Sequence, residues 1–158
     1  MLGKKRKLGR KIQDLKVGDT FTSTSTIEDR DLLMYLGLTD DANPLYIQHD
    51  YASETPYKRP VVPSVLLFGK VSSMISMHLP GPGSHIFKQD LVYPKPVHHY
   101  TEMKMTIEIS MIHKKENFIV VNVVGYDEEG DEIITGRLSV RPPYEPKSLN
   151  ASSLENFY

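Results

Sequence analysis

The sequence predicts an α+β fold, a curved antiparallel β-sheet wrapped around one central buried α-helix. Three observations carry this prediction. The stretch 65–79 is apolar on nearly every side, with Lys70 its one fully charged residue; a helix apolar all round in a water-soluble chain has to be enclosed. A run of strand-like segments follows it directly and supplies the enclosure. The length of 158 residues suits one domain and is short for two, and a chain of this size buries about 70% of its unfolded surface without staples.

Taken in order, Lys16-Val17-Gly18-Asp19 is a turn that feeds a Thr/Ser-rich, edge-like strand over 20–26. Residues 28–38 read as a helix. Thr26 is the expected N-cap, Glu28 and Asp29 sit in the first turn, and Leu32, Leu33, Tyr35 and Leu36 give it an apolar face. Residues 39–44 (TDDANP) form a turn cluster in which Asn43-Pro44 holds an extended residue before the proline. A short helical segment over 45–53 and an irregular stretch over 56–63 lead to the apolar helix. Then come a strand within 84–93, a period-two strand in which Met103, Met105, Ile107, Ile109 and Met111 alternate with polar residues, and a strand over 118–126 apolar on both faces. The hairpin turn Asp127-Glu128-Glu129-Gly130-Asp131 leads to a last alternating strand through Ile134, Gly136, Leu138 and Val140. Two of these strands reach about nine residues or more, long for an isolated sheet. One such sheet leaves its edges open, so two units pairing edge to edge are expected on physical grounds.

Hydrophobic residues make up 39% of the chain and charged residues 25%, ordinary values for a globular protein. No apolar run approaches the ~20 residues of a membrane span, and no signal-peptide pattern is visible. The absence of cysteine excludes a disulfide scaffold, thiolate zinc sites and a thiol nucleophile, and fits a cytoplasmic setting. The net charge of −1 hides an asymmetry: residues 1–11 hold six of the nineteen basic residues and no acid, which leaves 13 basic against 20 acidic residues. Residues 1–14 are read as a basic, flexible N-terminal arm, 15–143 as the domain and 144–158 as a polar tail. The bland reading of the arm is a solvated terminus, and an acidic body without an aromatic platform argues against a nucleic-acid binder. No grouping of histidines and carboxylates has metal-ligand spacing, so no metal is expected.

Three segments stand out together: Leu38-Thr39-Asp40-Asp41-Ala42-Asn43-Pro44-Leu45-Tyr46, then Arg59-Pro60-Val61-Val62-Pro63-Ser64-Val65-Leu66-Leu67, then Leu79-Pro80-Gly81 with Tyr93-Pro94 beyond it. In these the chain resembles the MaoC-like, (R)-specific enoyl-CoA hydratase family of hot-dog proteins, whose hallmark is Asp-x-Asn-Pro-Leu-His followed by Arg-Pro-(Ile/Val)-Val-His-Gly-Met-Leu. The resemblance covers roughly residues 15–142 and fits the spacing of both stretches without a gap. It implies a hot-dog fold, usually a homodimer, acting in fatty acid metabolism on acyl thioesters of CoA or acyl carrier protein, with no separate cofactor. It also implies that Asp41 stands at the position of the aspartate that activates water, and that the main-chain N–H at the start of the hot-dog helix, here Ser64, holds the thioester oxygen. Asn43, Pro63, Val65 and Ser72 fall at substrate-binding positions.

The sequence departs from the pattern at the chemistry itself. Tyr46 occupies the position of the family histidine, and Pro63-Ser64 replaces His-Gly. A phenol near pKa 10 cannot take a proton from water at neutral pH, whereas an imidazole near 6.5 can; Tyr46 can donate a hydrogen bond or position Asp41. His49 is a possible substitute if 45–53 is helical, while His98 and His99 are read as exposed. The expected activity is hydration of an enoyl thioester, or the reverse dehydration, altered or reduced. The alternatives are a non-catalytic acyl-thioester binder or the partner subunit of a catalytic paralogue, and a thioesterase using Asp41 alone.

Overall fold

The computed structural model describes residues 7–145. A single 3-10 turn, Ile12–Asp14, precedes five strands, β1 (Thr20–Ser25), β2 (His85–Val92), β3 (Met103–His113), β4 (Phe118–Tyr126) and β5 (Glu132–Arg141). The helices α1 (Asp29–Thr39), α2 (Pro44–Ile47), α3 (His49–Ser53) and α4 (Ser64–Met77) all lie between β1 and β2. The strands form one antiparallel sheet in the order β1-β3-β4-β5-β2, so β1 and β2 are its edges. The α+β expectation of a curved sheet around a central helix is met.

Period-two burial builds the inner face. Met103, Met105, Ile107 and Ile109 of β3 are buried, as are Ile119, Val121 and Val123 of β4, and α4 answers with Leu67, Val71, Met74 and Ile75. That i, i+4, i+7, i+8 spacing is one helical stripe.

Enclosure of α4 is less complete than the sequence suggests. The sheet covers one face, but Val65 and Met77 each remain 50% exposed, because a helix lying on a single sheet keeps an open flank. β4 likewise buries one face only, its outward residues Val120 and Val124 being half-buried. No helix among the described residues is long and apolar enough to cross a membrane.

Three local expectations give way. The N-cap of α1 is Glu28, not Thr26: Glu28 and Asp31 form a reciprocal capping box, with the Glu28 N–H donating to Asp31 Oδ2 at 2.9 Å. The segment 45–53 is two short helices, broken where Gln48 turns extended. From Lys7 onward the basic arm is docked. Gly9 N–H donates to Pro82 O and Arg10 N–H to Pro80 O, each at 2.8 Å, and the Arg10 guanidinium pairs with Asp19 at 2.6 Å. Lys4, Lys5 and Arg6, and the tail from residue 146 on, lie outside the described residues.

Candidate active site

The loop between α1 and α2 is built by reversal of the chain. Asp40 ends α1 in the left-handed region (φ 57), its N–H donating to Leu36 O. Thr39 Oγ1 donates to Tyr35 O at 2.7 Å and accepts from Asp41 N at 3.2 Å. The chain thereby turns back on α1, and the Tyr35 hydroxyl donates to Asp41 Oδ2 at 2.6 Å. The Asp41 carboxylate beside it, aided by burial, pushes the Tyr35 phenol above its usual range. Asn43 is the N-cap of α2. Its Oδ1 accepts from Leu45 N at 3.0 Å, and Pro44 follows at the first helical position, where its missing donor costs nothing.

That cap directs Tyr46 toward the start of α4. Val61 N–H donates to Leu45 O at 3.1 Å and Val62 N–H to Val97 O at 2.7 Å, so the strap before α4 is stitched both to α2 and to the chain after β2. The result is a cleft of about 250 Å³ lined by Tyr46, Ser64, Leu67, Tyr57, Tyr93 and Lys95, among others. Pro63, buried, caps α4 without a side-chain bond, and Leu66 N–H turns back to Pro63 O at 2.9 Å. Among the described residues, the Ser64 and Val65 N–H groups take no partner; they are the free donors of a helix N-terminus, where the macrodipole adds partial positive charge.

The structure brings Tyr46 and Ser64 into this one cleft. Asp41 stands one loop away with its carboxylate turned to Tyr35, while Tyr46 lies close enough to add to the upward push on the Tyr35 phenol. Ser72 lines a different cavity, of about 510 Å³, with Phe68, Ser76 and residues of β2. Val65 is half-exposed and Asn43 serves as a cap. His49 opens α3 and is exposed, beyond the break at Gln48. His98 and His99, expected at the surface, are half-buried: His98 Nδ1 meets Pro60 O at 3.0 Å and His99 Nδ1 meets Asp29 at 2.9 Å. The connection after β2 meets the strap and α1, which covers part of both rings.

Two groups escape a reading of the residues alone. Tyr35 counts there only toward an apolar face, its hydroxyl among leucines being the sole signal. Tyr93 lines the cleft, and burial lifts its phenol. Lys95 also reaches the cleft, but its ammonium is held by Asp127, Glu129 and Asp131 at 2.7, 2.9 and 2.7 Å. These three carboxylates are the one grouping among the described residues close enough to share a metal ion, and the Lys95 ammonium already sits among them.

Set against known proteins, no family model matches the chain. It is 27% identical over 131 residues to the (R)-specific enoyl-CoA hydratase of Rhodospirillum rubrum, covering 83% of this chain and 90% of that one. It is 25% identical to the (R)-specific enoyl-CoA hydratase of Aeromonas caviae, again over 83% of this chain and 98% of that one. The solved structure of the A. caviae (R)-hydratase superposes with a TM-score of 0.79 at 25% identity, covering 83% of this chain and 99% of that one. The chain has the hot-dog fold and resembles the MaoC-like (R)-specific hydratases. The unliganded R-hydratase of Pseudomonas aeruginosa agrees equally, with a TM-score of 0.79 at 25% identity over 90% of this chain and 94% of that one. In this hot-dog frame α4 is the central helix, and the cleft opens at its leading end.

Proposed function

We propose that the protein is a hydro-lyase acting on an acyl thioester, adding water to a trans-2-enoyl thioester to give the (R)-3-hydroxyacyl product, and the reverse. The observation that carries this reading is the cleft at the N-terminus of α4, which Tyr46 lines together with Ser64, whose main-chain N–H is unpartnered. In the forward direction water attacks the β-carbon and gives a proton to the Asp41 carboxylate, while the thioester oxygen carries the developing negative charge. Asp41 then gives that proton to the α-carbon, which completes the addition of one water and regenerates the carboxylate. The Ser64 and Val65 N–H groups are aimed by the helix at such an oxygen and need no reorganisation to meet it. Tyr46 donates a hydrogen bond through its hydroxyl. Pro63 and Val65 flank Ser64 at the helix start, Asn43 fixes the α2 turn, and Ser72, which lines a separate cavity, is assigned to the acyl chain.

The substrate is carried on CoA or on acyl carrier protein, and no further cofactor takes part. A homodimer belongs to the proposal: the free edges β1 and β2 and the open flank of α4 at Val65 and Met77 are surfaces a second copy would cover. Hydration of crotonyl-CoA, followed by loss of enoyl absorbance, tests the reading. Asp41→Asn is expected to lower the rate by about 10²- to 10⁴-fold. No hydration above background in the wild type, or an unaffected Asp41→Asn variant, overturns it.

One observation favours a second reading, a non-catalytic acyl-thioester binder or partner subunit. The group beside the helix start is a phenol, and the nearby carboxylate is tied to a second phenol. Binding of butyryl-CoA without turnover of crotonyl-CoA decides for it. Release of free CoA, lost in Asp41→Ala, would instead identify a thioesterase.

A further inference from the structure

Asp41 is held at two points by the last turns of α1. Its main-chain N–H reaches Thr39 Oγ1 at 3.2 Å, and Thr39 in turn donates to Tyr35 O. Its side chain accepts the Tyr35 hydroxyl on Oδ2 at 2.6 Å, the short length typical of a hydroxyl donating to a carboxylate. Both groups are half-buried, and the left-handed Asp40 cap fixes the reversal that brings them together. Of the other titratable groups, Tyr46 on α2 acts on the pair electrostatically, and Asp40 is the chain neighbour of Asp41. One carboxylate oxygen is therefore engaged, leaving Oδ1 as the atom available to a water molecule.

We propose that Tyr35 is a positioning residue for the hydration step: its hydroxyl fixes the orientation of the Asp41 carboxylate through Oδ2. The inference rests on reading Asp41 as the base. The donor supplies no proton to the reaction; it selects which oxygen of Asp41 meets water.

The test combines crotonyl-CoA hydration by the wild type, Tyr35→Phe and Thr39→Val with carbon-13 titration of the Tyr35 phenol in the wild type and Asp41→Asn. Tyr35→Phe removes only the hydroxyl, and is expected to lower kcat about tenfold through lost orientation while KM stays within about twofold. Thr39→Val loosens the same turn but keeps the phenol, and should lower kcat less than Tyr35→Phe does. The Asp41 carboxylate pushes the Tyr35 phenol up, so Asp41→Asn should bring the Tyr35 midpoint down. An unchanged kcat in Tyr35→Phe, an equal loss in Thr39→Val, or a Tyr35 midpoint that does not move in Asp41→Asn overturns the proposal. A midpoint that falls in Asp41→Asn, in a protein that hydrates nothing, overturns the hydratase reading and leaves the Tyr35–Asp41 contact supported.

Discussion

A phenol and an imidazole of ordinary pKa differ by roughly 3.5 units, and neutral pH lies between them. On the proposed reading this single difference, at Tyr46, sets the rate of the protein. Its ring lines the cleft beside the start of α4, and histidine is smaller than tyrosine, so Tyr46→His can enter without overpacking. We expect this substitution to raise the rate of crotonyl-CoA hydration at least about tenfold, part of what a well-placed acid–base group contributes, and to add an acid limb near pH 6.5. An unchanged rate in a folded Tyr46→His variant would show that the position does not face the reacting carbon. The motif residues Asp41, Asn43, Tyr46 and Ser64 were legible because their spacing is linear. Tyr35 was not. It is six residues from Asp41, a separation that brings no two side chains together on a continuous helix, and only the left-handed turn at Asp40 makes them meet.

At the scale of the elements, what was legible is what periodicity encodes. The alternation through β3 and the apolar run of α4 gave sheet and helix, because each buries a face at its own period. The open flank of α4 was not legible, since an apolar side chain reads alike whether its own sheet or another surface covers it. The β5–β2 pairing hides a further constraint. Gly136 sits at φ +148, and a Cβ built there would lie 2.0 Å from the carbonyl oxygen of Asp90 across the ladder. That neighbour is backbone, so it cannot swing aside. Gly136→Ala is therefore expected to cost about 2 kcal/mol or more, lowering the thermal midpoint by roughly 4–8 °C. Circular dichroism melting checks it, and a midpoint within 1 °C of wild type would mean that β2 shifts freely along the edge. A Cβ built at Gly9 would likewise lie 2.3 Å from the carbonyl oxygen of Pro80, so a glycine there lets the segment dock as closely as it does.

Across the whole molecule, charged and polar side chains tie separate segments together, Lys11–Glu145 among them. Arg10–Asp19 fastens the N-terminal segment to the start of β1, His99–Asp29 joins the connection after β2 to α1, and Lys95 ties that connection to the β4–β5 turn. The Lys16 amide and the Arg10 guanidinium hold Asp19 below the usual carboxylate range, and the bond from His99 does the same for Asp29. Burial alone would raise Asp127, whose side chain is only 8% exposed, but the Lys95 ammonium and the amides of Asp131 and Glu129 outweigh it and hold it low. A carboxyl depressed in the folded state stabilises the fold above its unfolded value, and that contribution fades as pH falls through the folded one. Stability should therefore hold from neutrality to about pH 4 and decline below it. Lys95→Met should reverse the trend at higher pH. Asp127, Glu129 and Asp131 would then crowd one another without a cation, and like charges at such range raise carboxyl pKa values. The variant should be less stable than wild type at pH 7 and gain stability on acidification toward pH 4, as protons relieve the repulsion. Urea unfolding at pH 7, 5.5 and 4 measures both slopes, and parallel profiles for the two proteins would show that the Lys95 clasp contributes nothing to the fold.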